Sequence, residues 1–493
     1  MSPYLDGDAN PHDRPEGRKP SEQTQLVQIA QEWARLFRSP TDEAFAQVTV
    51  EGHVETLAVR SASFRGWLAR EFYLVHQRPP SSKSVRDATE AIEGEALCGT
   101  EVHEAHVRLA VHEGAIYLDL ADAERNVVKV APREWEVVSD PPVRFRRPKG
   151  MLPLPVPEHG GSIDELWGLW PGLDAHTQVL LTGALLAGLQ PHGSLPVLFM
   201  NGEQGSGKTM LAGQLKAIVD PAQAPLRGAP TGIEALMISA MKARVLALDN
   251  ISHFPPWLSD ALCRLSSGGG LSKRQLYTDD DECILEACRP VIVNGIEDLV
   301  TRGDLLERSL LVTLPAIAAK NRRSEQAVRE AFAAARPRVL GALLDAAATG
   351  LANLPSTEVA ELPRLADFCL WVEACSPALG WPPGVFVQAL AAHRQESSSV
   401  ALDASPVAQA VLKLSESIRF EGIAQELLDD LNERETDGSK RSPAWPKTAR
   451  KLAGDLRRLA PDLRRHGVHV SFLKRSGARR VIRIERTEGR AEP

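Results

Sequence analysis

A glycine-rich loop carries the residues with the clearest chemistry in this chain. Residues 202–209 read Gly-Glu-Gln-Gly-Ser-Gly-Lys-Thr, a complete G-x-x-x-x-G-K-T pattern. In such a loop, backbone N–H groups turn inward around phosphate oxygens, the lysine adds a positive charge, and the threonine hydroxyl is a ligand for Mg²⁺. The pattern therefore predicts a site for ATP and Mg²⁺, with the contacts Gly202, Gly205, Ser206, Gly207, Lys208 and Thr209.

The segments on both sides of this loop have the pattern that such a site requires. Four apolar residues, 197–200, precede the loop and predict a buried strand. Leu211, Leu215 and Ile218 follow the loop at helical spacing. A chance glycine-rich turn seldom has both flanks, so nucleotide binding is the favoured interpretation.

A second chemical group is expected about 40 residues further on, at the tip of another buried strand. Residues 244–250 read Arg-Val-Leu-Ala-Leu-Asp-Asn, which places Asp249 where it can hold Mg²⁺ through water. The alternative is a core strand that happens to end in a surface aspartate. A glutamate that polarises the attacking water often follows such an aspartate, and here the residue is Asn250. Either Asp260 or Glu203 replaces it, or hydrolysis is slow.

A third predicted strand ends in Asn294, which is placed to sense a γ-phosphate or to position the attacking water; a simple Asn-Gly turn is the alternative. Just before the next strand, Arg308 is a candidate arginine finger for a neighbouring subunit, with Arg302 as the second candidate. Either arginine could instead be solvated or locally paired. A finger that acts on a neighbour requires a ring or a filament.

Between the aspartate strand and the asparagine strand, residues 265–282 combine three glycines, a basic pair, an aromatic residue and an acidic run. This composition predicts an exposed loop or hairpin. Lys273 and Arg274 can neutralise phosphates and Tyr277 can stack on a base. A flexible surface turn is the alternative.

Taken in order, these segments resemble superfamily 3 helicases, particularly the helicase half of phage, plasmid and poxvirus-type primase-helicases. The matching segments are GEQGSGKT (202–209), LALDN (246–250), GGGLSKRQLYTDDDE (268–282), VIVNG (291–295) and GDLLERSLLVTLP (303–315). The resemblance, over roughly residues 160–487, implies a hexameric ring that translocates on single-stranded DNA. It also implies a DNA-contacting hairpin at Lys273 and Arg274, and an Asp-x-x-x-Arg segment at Asp304 and Arg308. Asn250 departs from the family pattern.

Charge is distributed unevenly along the chain. The net charge is −7, yet residues 439–486 hold fifteen Lys or Arg and three Asp or Glu, a net of +12. This excess predicts a polyanionic partner at the C-terminal end, and the predicted order of three helices and a hairpin is a winged-helix pattern. A solvated basic face is the alternative. The predicted duplex or origin DNA contacts are Lys447, Arg450, Lys451, Arg457, Arg458, Lys474 and Arg475.

The predicted fold class is an α/β P-loop NTPase core of AAA+ type, with an N-terminal α+β domain, a helical lid and a C-terminal winged helix. The predicted boundaries are a disordered terminus at 1–20, the α+β domain at 21–150, a linker at 151–161, the ATPase core at 162–315, the lid at 316–402, the winged helix at 403–487 and a tail at 488–493.

The function of the N-terminal domain is less defined by its sequence. Asp119 and Asp122 are three residues apart and so do not share a strand face, and no convincing primase metal site emerges. Assembly, DNA contact and docking of a primase or replication initiator are the expected roles. No apolar signal segment or membrane span is present, so a cytoplasmic location is expected.

The sequence thus predicts an ATP-dependent DNA helicase or translocase, used in replication of a phage or mobile element. The alternative is a nucleotide-gated DNA-binding switch or helicase loader that binds ATP without unwinding. Asn250 favours the switch, and the hairpin segment favours the motor. A small-molecule kinase would explain neither the basic C-terminal region nor the residues that follow the loop.

Overall fold

The structure is a computed structural model, and it describes residues 20–251, 254–274, 282–295, 303–403, 405–442, 444–474 and 480–486. The chain forms two compact units. The first comprises Met1–His106 and Pro142–Arg147, and the second comprises Val107–Pro141 and Pro148–Pro493. The range 21–150, expected to be one domain, is therefore divided between the two units.

The N-terminal part of the chain begins with helices around a small sheet and continues with short strands. Its elements are α1 (Glu22–Trp33), β1 (Ala34–Arg38), β2 (Ala44–Val50), β3 (His53–Ala58), α2 (Ala62–His76), α3 (Ser82–Cys98), β4 (Ala105–His106), β5 (Leu109–His112), β6 (Ala115–Asp119), β7 (Val127–Ala131), β8 (Glu134–Val138) and β9 (Arg144–Phe145).

In the first unit, β1, β2 and β3 form an antiparallel sheet, and α1, α2 and α3 share a core with one face of it. The sequence predicts one helix over residues 22–37, but this helix ends at Trp33 and the chain continues as β1. The reason is tertiary: residues 34–38 pair along β2, from Ala34 opposite Val48 to Arg38 opposite Ala44. Local helical spacing gives no information about that partner strand.

In the second unit, β5, β6, β7 and β8 form an antiparallel sheet that packs on a long helix, α10 (Glu325–Asn353). Trp135 donates its indole N–H to Asp345 of that helix at 2.8 Å, and the Arg133 N–H donates to Ala348 O at 2.9 Å. This sheet therefore packs against α10 within the second unit.

The expected linker at 151–161 is an ordered strap along the second unit. Met151 forms a bridge with Ala222, and Leu154 is buried and donates its N–H to Leu120 O at 2.8 Å. Glu158 donates its N–H to Pro337 O at 3.1 Å. The proline-rich composition predicts the extended backbone of this segment, and the neighbouring elements hold it in place.

The middle of the chain alternates helices and strands. Its elements are α4 (Asp164–Trp167), α5 (Ala175–Ala187), β10 (Val197–Gly202), α6 (Lys208–Val219), α7 (Ile233–Met241), β11 (Leu246–Ile251), α8 (Pro256–Ser267), β12 (Gly270–Arg274), β13 (Glu282–Glu286), β14 (Val291–Gly295), α9 (Gly303–Leu306) and β15 (Ser309–Leu314).

A four-stranded parallel sheet lies at the centre of this region, in the order β11-β14-β10-β15. Both faces of β10 are buried: Leu198 and Met200 share a core with α5 and α6, and Val197 and Phe199 share one with α7 and α8. Burial on both faces explains why this strand reads as an unbroken apolar run. The carboxyl ends of its parallel strands meet at one edge of the sheet.

The remaining elements are α10 (Glu325–Asn353), α11 (Ala366–Cys375), α12 (Val385–Asp403), α13 (Pro406–Ser417), β16 (Phe420–Ile423), α14 (Ala424–Arg434), α15 (Asp437–Arg441), α16 (Ala449–Arg465), β17 (Val468–Lys474) and β18 (Arg480–Arg486). The middle of α10, from Val339 to Ala348, is largely buried in the core that α5 and α6 also share.

The C-terminal elements form a separate core in which α13, α14 and α16 pack with an antiparallel sheet. The sequence predicts helices at α13, α14 and α16 and the two strands β17 and β18. It misses the short helix α15 and β16, which adds a third strand in the order β16-β18-β17. The sequence predicts the last of these helices over residues 446–459, whereas α16 runs from Ala449 through Pro461 to Arg465. A four-residue strand has too little sequence pattern to be seen without its partner.

Candidate functional site

The glycine-rich loop, residues 202–209, joins the end of β10 to the start of α6. Gly202, Gly205 and Gly207 have φ angles of +142°, +83° and +84°, where L side chains are strained. A Cβ on Gly202 would lie 2.6 Å from Leu314 O, and one on Gly207 would lie 2.7 Å from the Trp170 ring. Backbone angles and neighbouring atoms together require glycine at these two positions.

Two side chains in the loop have the polarity that an anion requires. Lys208 directs its ammonium group back into the loop, where Nζ donates to Gly202 O at 2.5 Å and Glu203 O at 2.8 Å. Ser206 is only 2% exposed, and within the part of the chain that the structure describes its Oγ has no hydrogen-bond partner. A buried hydroxyl without a partner costs free energy unless a ligand or water completes it.

Three more polar side chains meet at the same edge of the sheet. The Thr209 hydroxyl donates to Asp249 Oδ1 at 3.2 Å. Asn294 is 3% exposed, and its Nδ2 donates to Asp249 Oδ1 at 2.6 Å and to Thr209 Oγ1 at 3.1 Å. The structure thus brings Thr209, Asp249 and Asn294 into direct contact beside the loop. Strand order is the reason, because β14 lies between β10 and β11.

The backbone conformation of Asn250 favours an asparagine at this position, where a glutamate is common. Its φ is +54°, its side chain is exposed, and its N–H donates to Asp249 Oδ1 at 3.0 Å. The pairing of β11 with β14 shifts register between Leu248 and Ile251, so Asn250 lies in a bulge. Asparagine tolerates this left-handed backbone better than glutamate does. Of the other carboxylates considered, Glu203 is exposed in the loop and Asp260 is exposed on α8.

Arg308 lies at the amino ends of the parallel strands, whereas the loop lies at their carboxyl ends. Its carbonyl accepts from Val197 N at 3.0 Å, at the start of β10, and Gly202 pairs with Leu314 at the other end. At about 3.3 Å per residue, this places Arg308 roughly 17–20 Å from the loop of its own chain. The guanidinium therefore cannot reach the nucleotide site of the same subunit. Arg302 lies outside the described residues.

The segment between β11 and β14 contains a two-stranded antiparallel hairpin of β12 and β13. Lys273 pairs with Cys283 and Arg274 with Glu282, at the end of the hairpin away from Gly270. Of the loop and the hairpin that the sequence predicts for this segment, the structure contains the hairpin. Tyr277 lies outside the described residues.

The basic residues of the C-terminal region differ in their surroundings. Lys447, Arg450 and Lys451 are exposed around the first turn of α16. By contrast, Arg457 lies over the Phe472 ring, with Cζ 4.8 Å from its centroid, and Arg458 forms an ion pair with Asp455. The first three are therefore the side chains most available to phosphates. Lys474 ends β17 opposite Arg480, and Arg475 lies outside the described residues.

Residues around Trp170 were missed by the sequence analysis. The Trp170 ring lies against Gly207, and its indole N–H donates to Gln214 of α6 at 2.8 Å. Ile317, just after β15, approaches the same point, with Cδ1 3.4 Å from a Cβ built on Gly207. These side chains support the start of α6. Only the tertiary structure reveals them, because Trp170 precedes Gly207 by 37 residues in the sequence.

A second unpredicted group is a buried ion cluster at the other end of α6. The Asp220 carboxylate accepts from Lys216 Nζ at 2.9 Å and Arg108 Nε at 3.2 Å, and all three side chains are at most 4% exposed. Burial lowers the pKa of Lys216. Burial raises the pKa of Asp220, but Lys216 and Arg108 outweigh it and hold that pKa below its ordinary value. The i,i+4 spacing of Lys216 and Asp220 is the only sequence signal.

Two other expectations concern metals and membranes. Asp119 is buried and accepts a hydrogen bond from Ala121 N at 3.0 Å, whereas Asp122 accepts one from Asn126 N at 2.8 Å. Each carboxylate therefore stabilises the backbone turn that follows it. Within the described ranges, no group of three or more His, Cys, Asp or Glu side chains is arranged to hold a metal ion. No described helix is both long and apolar enough to cross a membrane.

Two family models match most of the second unit. Residues 163–395 match the family model of an actinomycete integrative conjugative element replication protein, and residues 407–492 match that of the AICE RepA C-terminal domain. A search of curated proteins finds no match. Among solved structures, the A form apo structure of the NrS-1 C-terminal region is 12% identical, with a TM-score of 0.40 over 95% of this chain and 100% of that chain. A second apo structure of that region is 11% identical, with a TM-score of 0.37 over the same shares.

Proposed function

We propose that this chain, a replication protein of the actinomycete integrative conjugative element type, is an ATP-dependent DNA helicase or translocase. The central observation is the meeting of Lys208, Thr209, Asp249 and Asn294 at the carboxyl edge of the parallel sheet. In α/β proteins, ligands bind at this edge. A replication protein with a nucleotide site there has the parts of a DNA motor.

The loop and its neighbours fit a triphosphate with Mg²⁺. Lys208 and the backbone N–H groups of the loop would hold the phosphates, and the buried Ser206 hydroxyl would gain a partner. Thr209 and Asp249 would hold Mg²⁺, which offsets phosphate charge when bound. Asn294 would direct its amide toward the γ-phosphate or the attacking water. These residues constitute the P-loop NTPase core of the proposal.

The position of Arg308 supports an oligomeric enzyme. It lies at the amino ends of the strands, too far from the nucleotide site of its own subunit to act there. We assign it to the nucleotide site of the next subunit in a ring, as an arginine finger. A mixing experiment tests this role. Lys208→Ala and Arg308→Ala oligomers should each be inactive, and mixed oligomers of the two should regain turnover at the interfaces that combine an intact Lys208 with an intact Arg308. Failure to regain turnover in verified mixed oligomers would contradict action in trans.

DNA contacts are proposed at two places. Lys273 and Arg274 on the β12–β13 hairpin would grip single-stranded DNA, and the exposed first turn of α16 would hold duplex or origin DNA as part of a winged helix. Replacing Arg450 and Lys451 by alanine should weaken DNA binding and reduce the slope of log affinity against log salt by up to about 2. The matched control is Arg458→Ala, whose guanidinium is already paired with Asp455 and whose loss should change that slope little.

The decisive experiment measures ATP turnover and strand separation on forked DNA. The wild-type oligomer should hydrolyse ATP, accelerate when DNA is added, and unwind the fork, whereas Lys208→Ala should do none of these. Lys242→Ala, which removes an exposed lysine at the end of α7, serves as the control and should behave as wild type. Absence of DNA stimulation and of unwinding in the wild type would contradict the proposal.

The second candidate is a nucleotide-gated DNA-binding switch or loader, and the observation that favours it is Asn250. An exposed amide stands where a carboxylate would activate water. For a switch, DNA affinity should change between ATP and ADP while turnover stays negligible. The two functions therefore differ in a single measurement, the rate of ATP turnover on DNA.

A further inference from the structure

A chain of alternating charges joins the end of α16 to Arg308. The Asp304 carboxylate pairs with Arg364 at 2.5 Å and lies 3.9 Å from Arg308 Nε. Arg364 also pairs with Glu307 at 2.7 Å, and Glu307 lies 3.7 Å from Nη2 of Arg465, the last residue of α16. These five residues, which we call the charge relay, are contributed by α9 and its C-terminal flank, the segment before α11, and α16. Nη1 of Arg465 pairs with Asp462 of the same helix at 2.9 Å.

We propose that the charge relay makes ATP turnover respond to DNA bound on α16. The inference rests on the proposed function, in which α16 holds DNA and Arg308 serves a neighbouring nucleotide site. Arg308 and Arg364 both face one carboxylate atom, Asp304 Oδ1, which Arg364 contacts and Arg308 approaches only to 3.9 Å. Their competition for it decides how tightly Arg308 is held within its own subunit. A shift of α16 on binding DNA would change the pairing of Arg465 with Glu307. Because Arg364 contacts both Glu307 and Asp304, the change would alter how strongly Arg364 pairs with Asp304, and so how available Asp304 is to Arg308.

Arg308 has the surroundings of a residue that can be released. Its side chain is 15% exposed, its distance from Asp304 is too long for a hydrogen bond, and Nε has no hydrogen-bond partner among the described residues. Arg364, by contrast, makes short contacts with two carboxylates. The relay pairs are partly exposed, so a single substitution should change the coupling by only about 2- to 5-fold.

The experiment measures the ratio of DNA-stimulated to basal ATP turnover in the full-length oligomer, with a DNA duplex or fork that stimulates the wild type. Arg465→Ala and Glu307→Gln should each lower this ratio by about 2- to 5-fold. Basal turnover and DNA affinity should stay within about 2-fold, because neither residue is placed in the nucleotide site or among the proposed DNA contacts. The matched control is Arg464→Ala, an exposed arginine one position earlier on α16, which should retain the wild-type ratio.

Charge-conserving substitutions separate coupling from damage to the fold. Arg465→Lys and Glu307→Asp keep both charges beside their partners, so each should retain more of the wild-type ratio than Arg465→Ala and Glu307→Gln do. Melting temperatures should remain within a few degrees of the wild type in every variant.

The outcomes are distinct for the relay and for the proposed function. If wild-type turnover is not stimulated by any DNA tested, the proposed function fails. If wild type is stimulated and Arg465→Ala and Glu307→Gln are stimulated equally, the relay is wrong. It is also wrong if Arg465→Ala only weakens DNA binding and saturating DNA restores full stimulation, since Arg465 would then be a direct DNA contact.

Discussion

The Nδ2 atom of Asn294 lies 2.6 Å from Asp249 Oδ1 and 3.1 Å from the Thr209 hydroxyl. One buried amide therefore links the strand that carries the aspartate to the helix that begins at the glycine-rich loop. Because Asn294 is 3% exposed, its orientation is fixed by these partners. In the proposed function, a side chain so held is already ordered when it meets a γ-phosphate.

Asn294→Ala should lower ATP turnover by about 100-fold, the size expected when one preorganised hydrogen-bond donor is removed. Nucleotide affinity should change much less, because the loop and Lys208 remain. Steady-state turnover and equilibrium binding of a fluorescent ATP analogue separate the two effects. Equal losses in both would mean that Asn294 supports the site generally and has no specific role in turnover.

Gly207→Ala should abolish nucleotide binding. The substitution combines a φ of +84° with a clash against the Trp170 ring, so the loop must move. Gly213→Ala is the control on the same helix, since its Cβ would meet nothing within 4 Å. That change should stabilise the protein by about 0.5–1 kcal/mol, because alanine is the better helix former. Thermal unfolding and nucleotide titration of both variants provide the comparison.

Asn250→Glu should not raise turnover, although it introduces the glutamate that often follows such an aspartate in P-loop ATPases. The bulge at this position holds φ at +54°, which costs a glutamate about 1 kcal/mol. Asn250→Gly should keep both stability and turnover, since glycine adopts this conformation freely. A gain in turnover of 10-fold or more in the glutamate variant would show that the backbone adapts and that only the missing carboxylate limits hydrolysis.

Asp220→Asn should cost about 3–5 kcal/mol in the free energy of unfolding, because Arg108 and Lys216 would be left buried without a counter-charge. Denaturant titration measures this loss. Glu325→Gln, which breaks an exposed pair with Arg329, is the control and should change stability by less than about 0.5 kcal/mol.

The same cluster predicts a direction for acid sensitivity. The pKa of Asp220 is lowered from its ordinary value of 3.8, so its carboxylate contributes stability at any pH above that value. The contribution is lost as the pH falls through the lowered pKa. Wild type should therefore lose stability steeply below about pH 4. In Asp220→Asn this component of the acid transition should be absent, and its persistence would assign the transition to other carboxylates.

The sequence by itself determined the loop, the strand that precedes it and the helix that follows, because these depend on residues next to one another in the chain. It also placed Asp249 and Asn294 at strand ends, since a polar residue after an apolar run marks the point where a strand leaves the core. The helices and hairpin of the C-terminal region followed from the same local periodicity. Short strands such as β1 and β16 did not, because a few residues acquire extended structure only from the partner beside them.

Only the tertiary structure decided which side chains meet. Strand order places Asn294 between the loop and Asp249, although 85 residues separate it from Thr209. The parallel pairing of β15 with β10 puts Arg308 at the end of the strands away from the loop. The packing of α16 brings Arg465 to Glu307. Periodicity reports the environment of each residue along the chain. Contacts between distant residues depend on how the elements pack, and the local pattern of one sequence does not specify which elements become neighbours.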